Sequence, residues 1–403
     1  MSSHKKNPFY AGTTVFKDAK SLDQGWTPDY SKENETLPCR DEEIQSLTAL
    51  YKPVIIEGGS VGLNSMIIGR GGVGKTVTAK YFGRMFRDAL YGKDIDIVAE
   101  YIDCNEHSTR NSILREVLKK FKISTGRGYS DPELMKQLIG YMRMNNAYLF
   151  LILDEVHKLP HDDLLSFLNA SITFGSGNVN MSIICISRSQ DWLRYSTERL
   201  TSRIQKTYNF RPYSQPECFE ILKFRSRLAF HPETFSEDVI DLISDFAAKN
   251  KNIRNGIEIM RQVAIHLDEK GLTEATPEMV RRAGGNAISN YDTDLLNFLK
   301  SEHEFLVLLS IARYFRTRPK SYITTTEIND EYLVLCEEYK MEPLKFATLK
   351  RYIVGLEKLD LLTKKFALPE GKERGRESRY ALMGFSAEVL EDQLTKMMDN
   401  VFK

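Results

Sequence analysis

Cysteine is scarce in this 403-residue sequence, and its five copies stand too far apart to form a Cys-x-x-Cys pair: Cys39, Cys104, Cys185, Cys218 and Cys336. Zinc sites and the disulfide frameworks of small secreted proteins depend on closely spaced cysteines. The spacing therefore argues against both kinds of site and favours a reducing compartment.

Long apolar segments are also missing from the sequence. No run reaches the roughly 18 apolar residues that indicate a membrane-spanning helix. The opening residues MSSHKKNPFY have no apolar segment behind their lysines, as a secretory signal peptide would. We therefore expect a cytoplasmic protein that has no membrane partner.

An excess of charge of either sign is absent as well. The 56 Lys and Arg residues nearly balance the 55 Asp and Glu residues, which leaves a formal net charge of +1. A chain with this balance is not a polycation, so any surface that binds nucleic acid has to be local. The apolar fraction of 42% and the charged fraction of 28% are typical of a globular protein with two or three domains at this length.

The pattern along the chain predicts an arm followed by three domains. Residues 1–40 are polar and irregular, and we interpret them as an extended N-terminal arm. Between residues 41 and 210, four apolar runs (65–68, 97–103, 147–154 and 181–187) alternate with helical patterns. Continuous apolar runs separated by helices are typical of the buried strands of a parallel sheet, so this part is predicted to be an α/β domain.

The second half of the chain carries two further units. Strand signals stop over residues 211–285, where helical periodicity predicts a small helical domain. Residues 290–403 contain three predicted helices followed by two strands joined by a turn, which is the pattern of a winged-helix domain.

A glycine-rich loop lies between the first apolar run and a helix. GRGGVGKT (69–76) fits G-x-x-x-x-G-K-[ST], and the flanking strand and helix argue against a chance glycine turn. Such a loop cradles phosphates with backbone N–H groups, while its lysine reaches the β and γ phosphates and its hydroxyl binds Mg²⁺. The sequence therefore predicts an ATP or ADP site formed by Gly69, Gly71, Gly72, Val73, Gly74, Lys75 and Thr76.

The segment LILDEVH (151–157) supplies a second part of the predicted site. Its apolar residues carry Asp154 to the carboxyl end of a buried strand, where ligands bind in open α/β sheets. Asp154 is predicted to hold Mg²⁺ with Thr76, and Glu155 to orient and deprotonate the attacking water. An ordinary acidic strand end is the alternative, and the upstream glycine loop argues against it.

With these motifs and a C-terminal winged helix, the sequence resembles the AAA+ ATPases, and more narrowly the archaeal origin-recognition initiator family. The shorter segments LPCRDEEI, RGYSDPEL and RPYSQPECFEILKFR carry the narrower resemblance. It implies a five-stranded parallel α/β domain with flanking helices, a helical lid domain and a DNA-binding winged helix. It also implies nucleoid association and a slow ATPase.

The resemblance assigns roles to several residues outside the two motifs. Tyr213 and Arg225 fall where the family contacts the nucleotide from the lid side, and Arg254 falls at its sensor arginine. Arg199 and Arg203 lie in the segment that supplies an arginine finger to a neighbouring subunit. Solvated or salt-bridged surface arginines are the alternative. The resemblance also places a DNA-contacting helical insertion at about residues 105–130, which contain Arg110, Arg115, Lys119 and Lys120.

The sequence departs from the family pattern in ways that bear on catalysis. The core of the glycine loop is Gly-Gly-Val-Gly where the family usually has Thr-Gly-Thr-Gly, and His157 stands where it usually has an aspartate. The asparagine that usually positions the attacking water is replaced by Arg188 or Ser189. Because arginine cannot accept a hydrogen bond from water, we expect slow hydrolysis in a divergent paralogue.

The winged-helix region is locally basic. Residues 340–382 contain eleven Lys or Arg and six Asp or Glu, a balance of 11 − 6 = +5. In the predicted recognition helix FATLKRYIVGLEKL, the spacing of Phe346, Leu349, Ile353 and Leu356 predicts a core-facing stripe. The residues predicted to contact DNA are Lys345, Thr348, Lys350 and Arg351 from this helix, and Lys372, Arg374, Arg376 and Arg379 from the wing. Protein contacts are the alternative use of this surface.

Three functions remain open at this point. The first is an ATP-regulated replication initiator that binds double-stranded origin DNA and helps to recruit the replicative helicase, with other initiator paralogues as partners. The second is an origin-bound repressor without helicase loading, and the third is an AAA+ helper of transposition or a signalling ATPase. The entry segment, lid and winged helix argue against the third.

Overall fold

The computed structural model describes residues 14–29, 31, 36–91, 95–126, 128–173, 180–287, 299, 301–367 and 375–401. The chain divides into two compact units. One unit runs from Asp23 to Tyr213, and the other combines the described residues up to Leu22 with those from Ser214 onward. None of the described helices is both long and apolar enough to cross a membrane.

The first unit is built on a five-stranded parallel sheet. Its strands lie in the order β2-β3-β4-β1-β5, which confirms the predicted α/β fold. They are β1 (Asn64–Gly69), β2 (Asp96–Asp103), β3 (Ala147–Asp154), β4 (Met181–Ser187) and β5 (Lys206–Phe210). The predicted apolar runs did not include β5. As an edge strand it alternates exposed and buried residues, so it lacks a continuous apolar run.

Helices cover both faces of this sheet. They are α1 (Asp41–Ile56), α2 (Lys75–Leu90), α3 (Arg110–Lys120), α4 (Asp131–Met144), α5 (His161–Thr173), α6 (Ser189–Tyr195) and α7 (Glu198–Thr201). Buried side chains of α3, α4 and α5 pack on one face. Those of α1 and α2 pack on the other, where the rings of Phe86 and Phe150 stack 4.3 Å apart. Two apolar layers thus hold the strand ends that carry the motifs.

The second unit begins with the four helices that follow the sheet. They are α8 (Gln215–Ala229), α9 (Glu237–Lys249), α10 (Ile253–Lys270) and α11 (Pro277–Ala287). Residues 14–22, which the sequence analysis assigned to an irregular arm, pack on these helices. Val15 and Leu22 are buried, and the Lys17 backbone N–H donates to the Ala229 carbonyl at 2.8 Å.

The remainder of this unit is a winged helix, as predicted. It comprises α12 (Glu302–Thr317), β6 (Ile323–Thr324), α13 (Thr325–Glu338), α14 (Phe346–Lys358), β7 (Leu362–Ala367), β8 (Glu377–Leu382) and α15 (Ala387–Val401). The sequence analysis missed the short third strand β6 and the final helix α15. The helical spacing of the buried residues Ala387, Leu390, Leu394 and Met398 would have revealed α15.

A polar cluster joins the lid helix α9 to the wing strand β7 in this unit. The Tyr322 hydroxyl donates to the Asp245 carboxylate at 2.7 Å. The Lys365 ammonium pairs with Asp241 and lies 3.4 Å from the centre of the Tyr322 ring. Burial raises the pKa of Asp245 to about 6 from its ordinary value of 3.8.

We expect Asp245→Asn to stabilise the folded protein at neutral pH. Because the folded pKa is higher than the unfolded one, the stability that Asp245 contributes is present below pH 3.8 and is lost as pH rises through about 6. The free energy of unfolding of the variant should equal that of wild type near pH 4. At pH 7.5 it should be higher than that of wild type by about 1–3 kcal/mol. Thermal unfolding at several pH values checks this, and parallel pH profiles for the two proteins would contradict it.

Candidate nucleotide site and nucleic-acid surface

The carboxyl ends of the parallel strands bring the motif residues of the first unit to one edge. The register places Asp103 of β2 beside Asp154 of β3, and Ser187 of β4 beside Ile68 of β1. The glycine loop leaves the same edge and leads into α2. The sheet therefore brings the residues of the two motifs together, at the edge where open α/β sheets bind ligands.

The backbone of the loop has the conformation of an anion cradle. Gly72 and Gly74 have φ angles of +73° and +85°, which only glycine adopts without strain. A Cβ atom on Gly74 would also lie 2.3 Å from the Tyr213 hydroxyl, so this position has no room for another residue. Beside Gly71 the space is open.

Lys75 opens helix α2 and is buried. Its ammonium group donates to the Gly69 carbonyl at 2.9 Å and to the Arg70 carbonyl at 2.7 Å. The ammonium thus lies over the loop at the positive end of the helix. A phosphate placed there would meet the charge of the lysine and the N–H groups of the first helical turn together.

Thr76 and Asp154 form a pair of hard oxygen donors. The Thr76 hydroxyl donates to the Asp154 carboxylate at 2.6 Å, and the Tyr101 hydroxyl donates to the same carboxylate oxygen at 3.2 Å. Asp154 is buried. A hydroxyl and a carboxylate next to a phosphate cradle fit Mg²⁺, which prefers oxygen ligands and is usually shared with substrate phosphates. The donor set therefore fits the predicted metal.

Glu155 lies between the side chains of Arg188 and His157. Its backbone adopts a left-handed conformation, with φ at +54°. Carboxylate oxygen Oε1 lies 3.6 Å from Arg188 Nε, and Oε2 lies 3.4 Å from His157 Nδ1. Among the described residues, no group donates a hydrogen bond to the buried Oε2 atom. The candidate water-activating carboxylate is thus paired with the Arg188 guanidinium and lies beside the His157 ring.

His157 connects this carboxylate to the end of the neighbouring strand. Its Nδ1 atom lies 3.1 Å from the Ser187 hydroxyl, and its Nε2 atom lies 3.7 Å from Asp191 of α6. Arg188 follows β4 directly and is mostly exposed. Both positions are departures from the family pattern, and the structure brings both side chains to Glu155.

Arg40 is a residue of this site that the sequence analysis did not assign. It is 1% exposed, and it donates from Nε to the Tyr213 hydroxyl at 2.9 Å and from a terminal nitrogen to the Val73 carbonyl at 2.6 Å. Tyr213 thus lies behind the loop, against Gly74. Burial raises the pKa of Tyr213 to about 12, so its hydroxyl keeps its proton. The signal was the arginine in LPCRDEEI.

The arginines assigned by resemblance lie in different places. In the first unit, Arg199 is exposed on α7, and Arg203 is half-buried after it. In the second unit, Arg254 is exposed in the first turn of α10. Arg225 is buried and donates to the Ser21 carbonyl. Their assigned roles toward a nucleotide stay predictions.

The basic residues of the predicted insertion are engaged within the first unit. Arg110 pairs with Asp131 at 3.1 Å, and Lys120 pairs with Glu100 at 3.0 Å. Arg115 donates to Asn111 at 2.7 Å, and Lys119 lies 3.7 Å from the Glu116 carboxylate. These contacts account for much of the local charge without nucleic acid.

Helix α14, the predicted recognition helix, presents the predicted cations. Lys345, Lys350 and Arg351 are exposed, and Thr348 is half-buried. The core-facing stripe was correct for Leu349, Ile353 and Leu356, which are buried, but wrong for Phe346, which is 41% exposed. Phe346 opens the helix, where there is no preceding turn to cover it, and the Lys350 ammonium lies 4.4 Å from its ring centre.

The described part of the wing presents two of the four predicted cations. Arg376 is exposed and lies over the Phe366 ring, and Arg379 is half-buried with Glu377 at 3.3 Å. Lys372 and Arg374 lie outside the described residues. The basic face of the winged helix thus consists of the start of α14 together with the wing strands.

Three family models match consecutive parts of the chain. They are described as an AAA domain, a Cdc6 AAA+ ATPase-type lid domain and a CDC6 C-terminal winged helix domain. The matched residues are 61–188, 219–285 and 300–392. In chain order, the three matches correspond to the α/β unit, the lid helices and the winged helix.

Whole-chain comparisons agree with the domain matches. The chain is 26% identical over 403 residues to ORC1-type DNA replication protein 2 of Sulfurisphaera tokodaii, covering 96% of this chain and 93% of that one. Its fold is similar to Cdc6p from Pyrobaculum aerophilum, with a TM-score of 0.84, 22% identity and coverage of 97% and 100%. The Aeropyrum pernix ORC1 protein, solved in complex with DNA, has a TM-score of 0.58, 20% identity and coverage of 96% and 98%.

Proposed function

We propose that this chain, which belongs to the Cdc6/ORC1-type family of AAA+ ATPases, is an ATP-binding replication initiator for double-stranded origin DNA. The observation that carries the proposal is the presence of two sites in one chain. One is the glycine loop with its Thr76–Asp154 pair, and the other is a winged helix with exposed cations at the start of α14. The Aeropyrum relative solved with DNA supports the second site.

The nucleotide acts in this proposal as a conformational ligand. Lys75 binds the β and γ phosphates, and the loop N–H groups cradle them. Thr76 and Asp154 hold Mg²⁺, which when bound neutralises phosphate charge. Glu155 accepts the proton of the water that attacks the γ phosphate in line. Its ion pair with Arg188 keeps this step slow, so ATP and ADP act as long-lived signals.

The wider role follows from the family. Through the DNA-bound state, the protein helps to recruit the replicative helicase and acts beside other initiator paralogues. Arg254 reports the γ phosphate, Tyr213 and Arg225 support the nucleotide site, and Arg199 or Arg203 acts as a finger toward a neighbouring subunit. An origin-bound repressor is the second candidate, and the restrained Glu155 favours it because a repressor does not depend on turnover.

Arg188→Asn should raise the rate of ATP hydrolysis. The substitution removes the ion pair at Glu155 Oε1 and supplies an amide that both donates and accepts hydrogen bonds. We expect kcat to rise about tenfold, which is a part of the roughly 100-fold or more that a general base contributes. Phosphate release at saturating ATP measures it, and Arg188→Lys serves as the control that keeps the charge. A kcat that stays at or below the wild-type value would show that Arg188 does not restrain Glu155.

Mapping the protein on its own chromosome tests the proposed role. Crosslinked DNA should be enriched at the loci where replication starts, as located by marker frequency. Depletion should then reduce initiation at those loci if the protein is an initiator and increase it if the protein is a repressor. Enrichment at mobile elements, with unchanged initiation after depletion, would instead support a transposition helper.

A further inference from the structure

An exposed aromatic ring lies on the wing strand β7. Half of the Phe366 side chain is exposed, and this strand forms an edge of the three-stranded sheet β6-β8-β7. Successive residues of a strand face opposite sides. Lys365 points to the lid, where it pairs with Asp241, so Phe366 lies on the opposite face together with Lys364.

Two cations flank this ring. The Arg376 guanidinium lies 3.7 Å from the ring centre, and the Lys364 ammonium lies 4.9 Å from it. Phe366 pairs in register with Ser378 of β8, so Arg376 reaches it from just before the neighbouring strand. The wing thus presents an apolar ring with one positive charge from β7 and another from the residue just before β8.

Charge and shape favour duplex DNA as the ligand of this feature. Cations attract phosphates, while an apolar ring gains contact only where it meets bases or sugars. The same pairing of an exposed phenylalanine and a cation recurs in Phe346 and Lys350 at the start of the recognition helix. A helix at this place suits the major groove, which leaves the minor groove to the narrower wing.

We propose that Phe366 enters the minor groove and wedges between two base pairs, so that the site is bent. Arg376 and Lys364 then lie against the phosphates on either side of the groove. An apolar wedge partly unstacks one base step and kinks the duplex toward the major groove. The proposal rests on the proposed function, because it requires that the winged helix binds duplex DNA.

Binding and bending of a footprinted duplex by the full chain test the wedge. Phe366→Ala should lower the affinity about tenfold while the dependence on salt stays at the wild-type slope, because no charge is lost. Lys364→Ala should instead reduce that slope by about one. Energy transfer between dyes on the two ends of the duplex should report a bend with wild type and a straighter duplex with Phe366→Ala.

A second variant distinguishes a wedge function of the Phe366 ring from a role of the ring in folding or in positioning Arg376. Phe366→Leu keeps an apolar wedge, so it should retain most of the bend, and thermal unfolding should match wild type for both variants. Equal affinity and equal bending for wild type and Phe366→Ala would overturn the proposal. So would a Phe366→Ala variant that loses salt dependence but keeps the bend, since the ring would then only position Arg376. If wild type itself fails to bind duplex DNA, the proposed function fails instead.

Discussion

We expect Lys75→Ala to weaken ATP binding by about 100-fold. Lys75 is buried over the loop, and its ammonium is held in place by the Gly69 and Arg70 carbonyls. A charge-assisted hydrogen bond contributes about 1.5–3 kcal/mol, and 1.4 kcal/mol corresponds to a factor of ten in affinity. We expect the lysine to make more than one such contact with phosphate oxygens, so the upper part of this range applies.

Calorimetric titration with ATP in the presence of Mg²⁺ measures this loss. Lys52→Ala is the matched control, since Lys52 is an exposed lysine of α1 away from the loop, and it should bind ATP like wild type. Both variants should unfold at the wild-type temperature in the absence of nucleotide. An affinity of Lys75→Ala within threefold of wild type would place the nucleotide elsewhere.

The second large effect concerns the recognition helix. The triple variant Lys345→Ala/Lys350→Ala/Arg351→Ala removes three exposed cations from the start of α14. Each phosphate contact contributes a salt slope of about −0.9, so the slope of log affinity against log salt should become shallower by about 2–3. At about 0.1 M salt, the affinity should fall by about 100-fold or more.

Fluorescence anisotropy of a labelled duplex at several salt concentrations measures both quantities. The control variant Arg227→Ala/Lys251→Ala/Lys270→Ala removes the same charge from exposed positions of the lid. It should keep the wild-type slope, because a change of net charge alone does not remove a contact. If the two triple variants lose affinity equally, the binding is unspecific attraction, and α14 is not the recognition helix.

The parts of the fold and site that depend on local sequence were predictable. The glycine loop and the Asp154 strand end are short motifs whose neighbours in the chain also set their structure. Continuous apolar runs identified four strands of the sheet, including the edge strand β2, whereas the other edge strand, β5, has no such run and was not predicted. The five parallel strands agree with the fold that the resemblance implied.

Contacts between distant parts of the chain were beyond sequence reasoning. Arg40 and Tyr213 are 173 positions apart, and only the folded α/β unit brings their side chains together behind the loop. The ion pair between Arg188 and Glu155 likewise joins two strand ends. Phe346 fits the apolar period of α14, but the first turn of a helix is covered only if another element reaches it. These are tertiary effects that no spacing encodes.

A footprint of the wild-type protein on DNA from its candidate origins, with ATP present, tests the central claim most directly. We expect a discrete protected site at about 0.1 M salt that disappears in the Lys345/Lys350/Arg351 triple variant. The lid control variant should protect the same site. Uniform protection along the DNA, unchanged in the triple variant, would contradict the account and make the chain an ATPase that acts through protein partners.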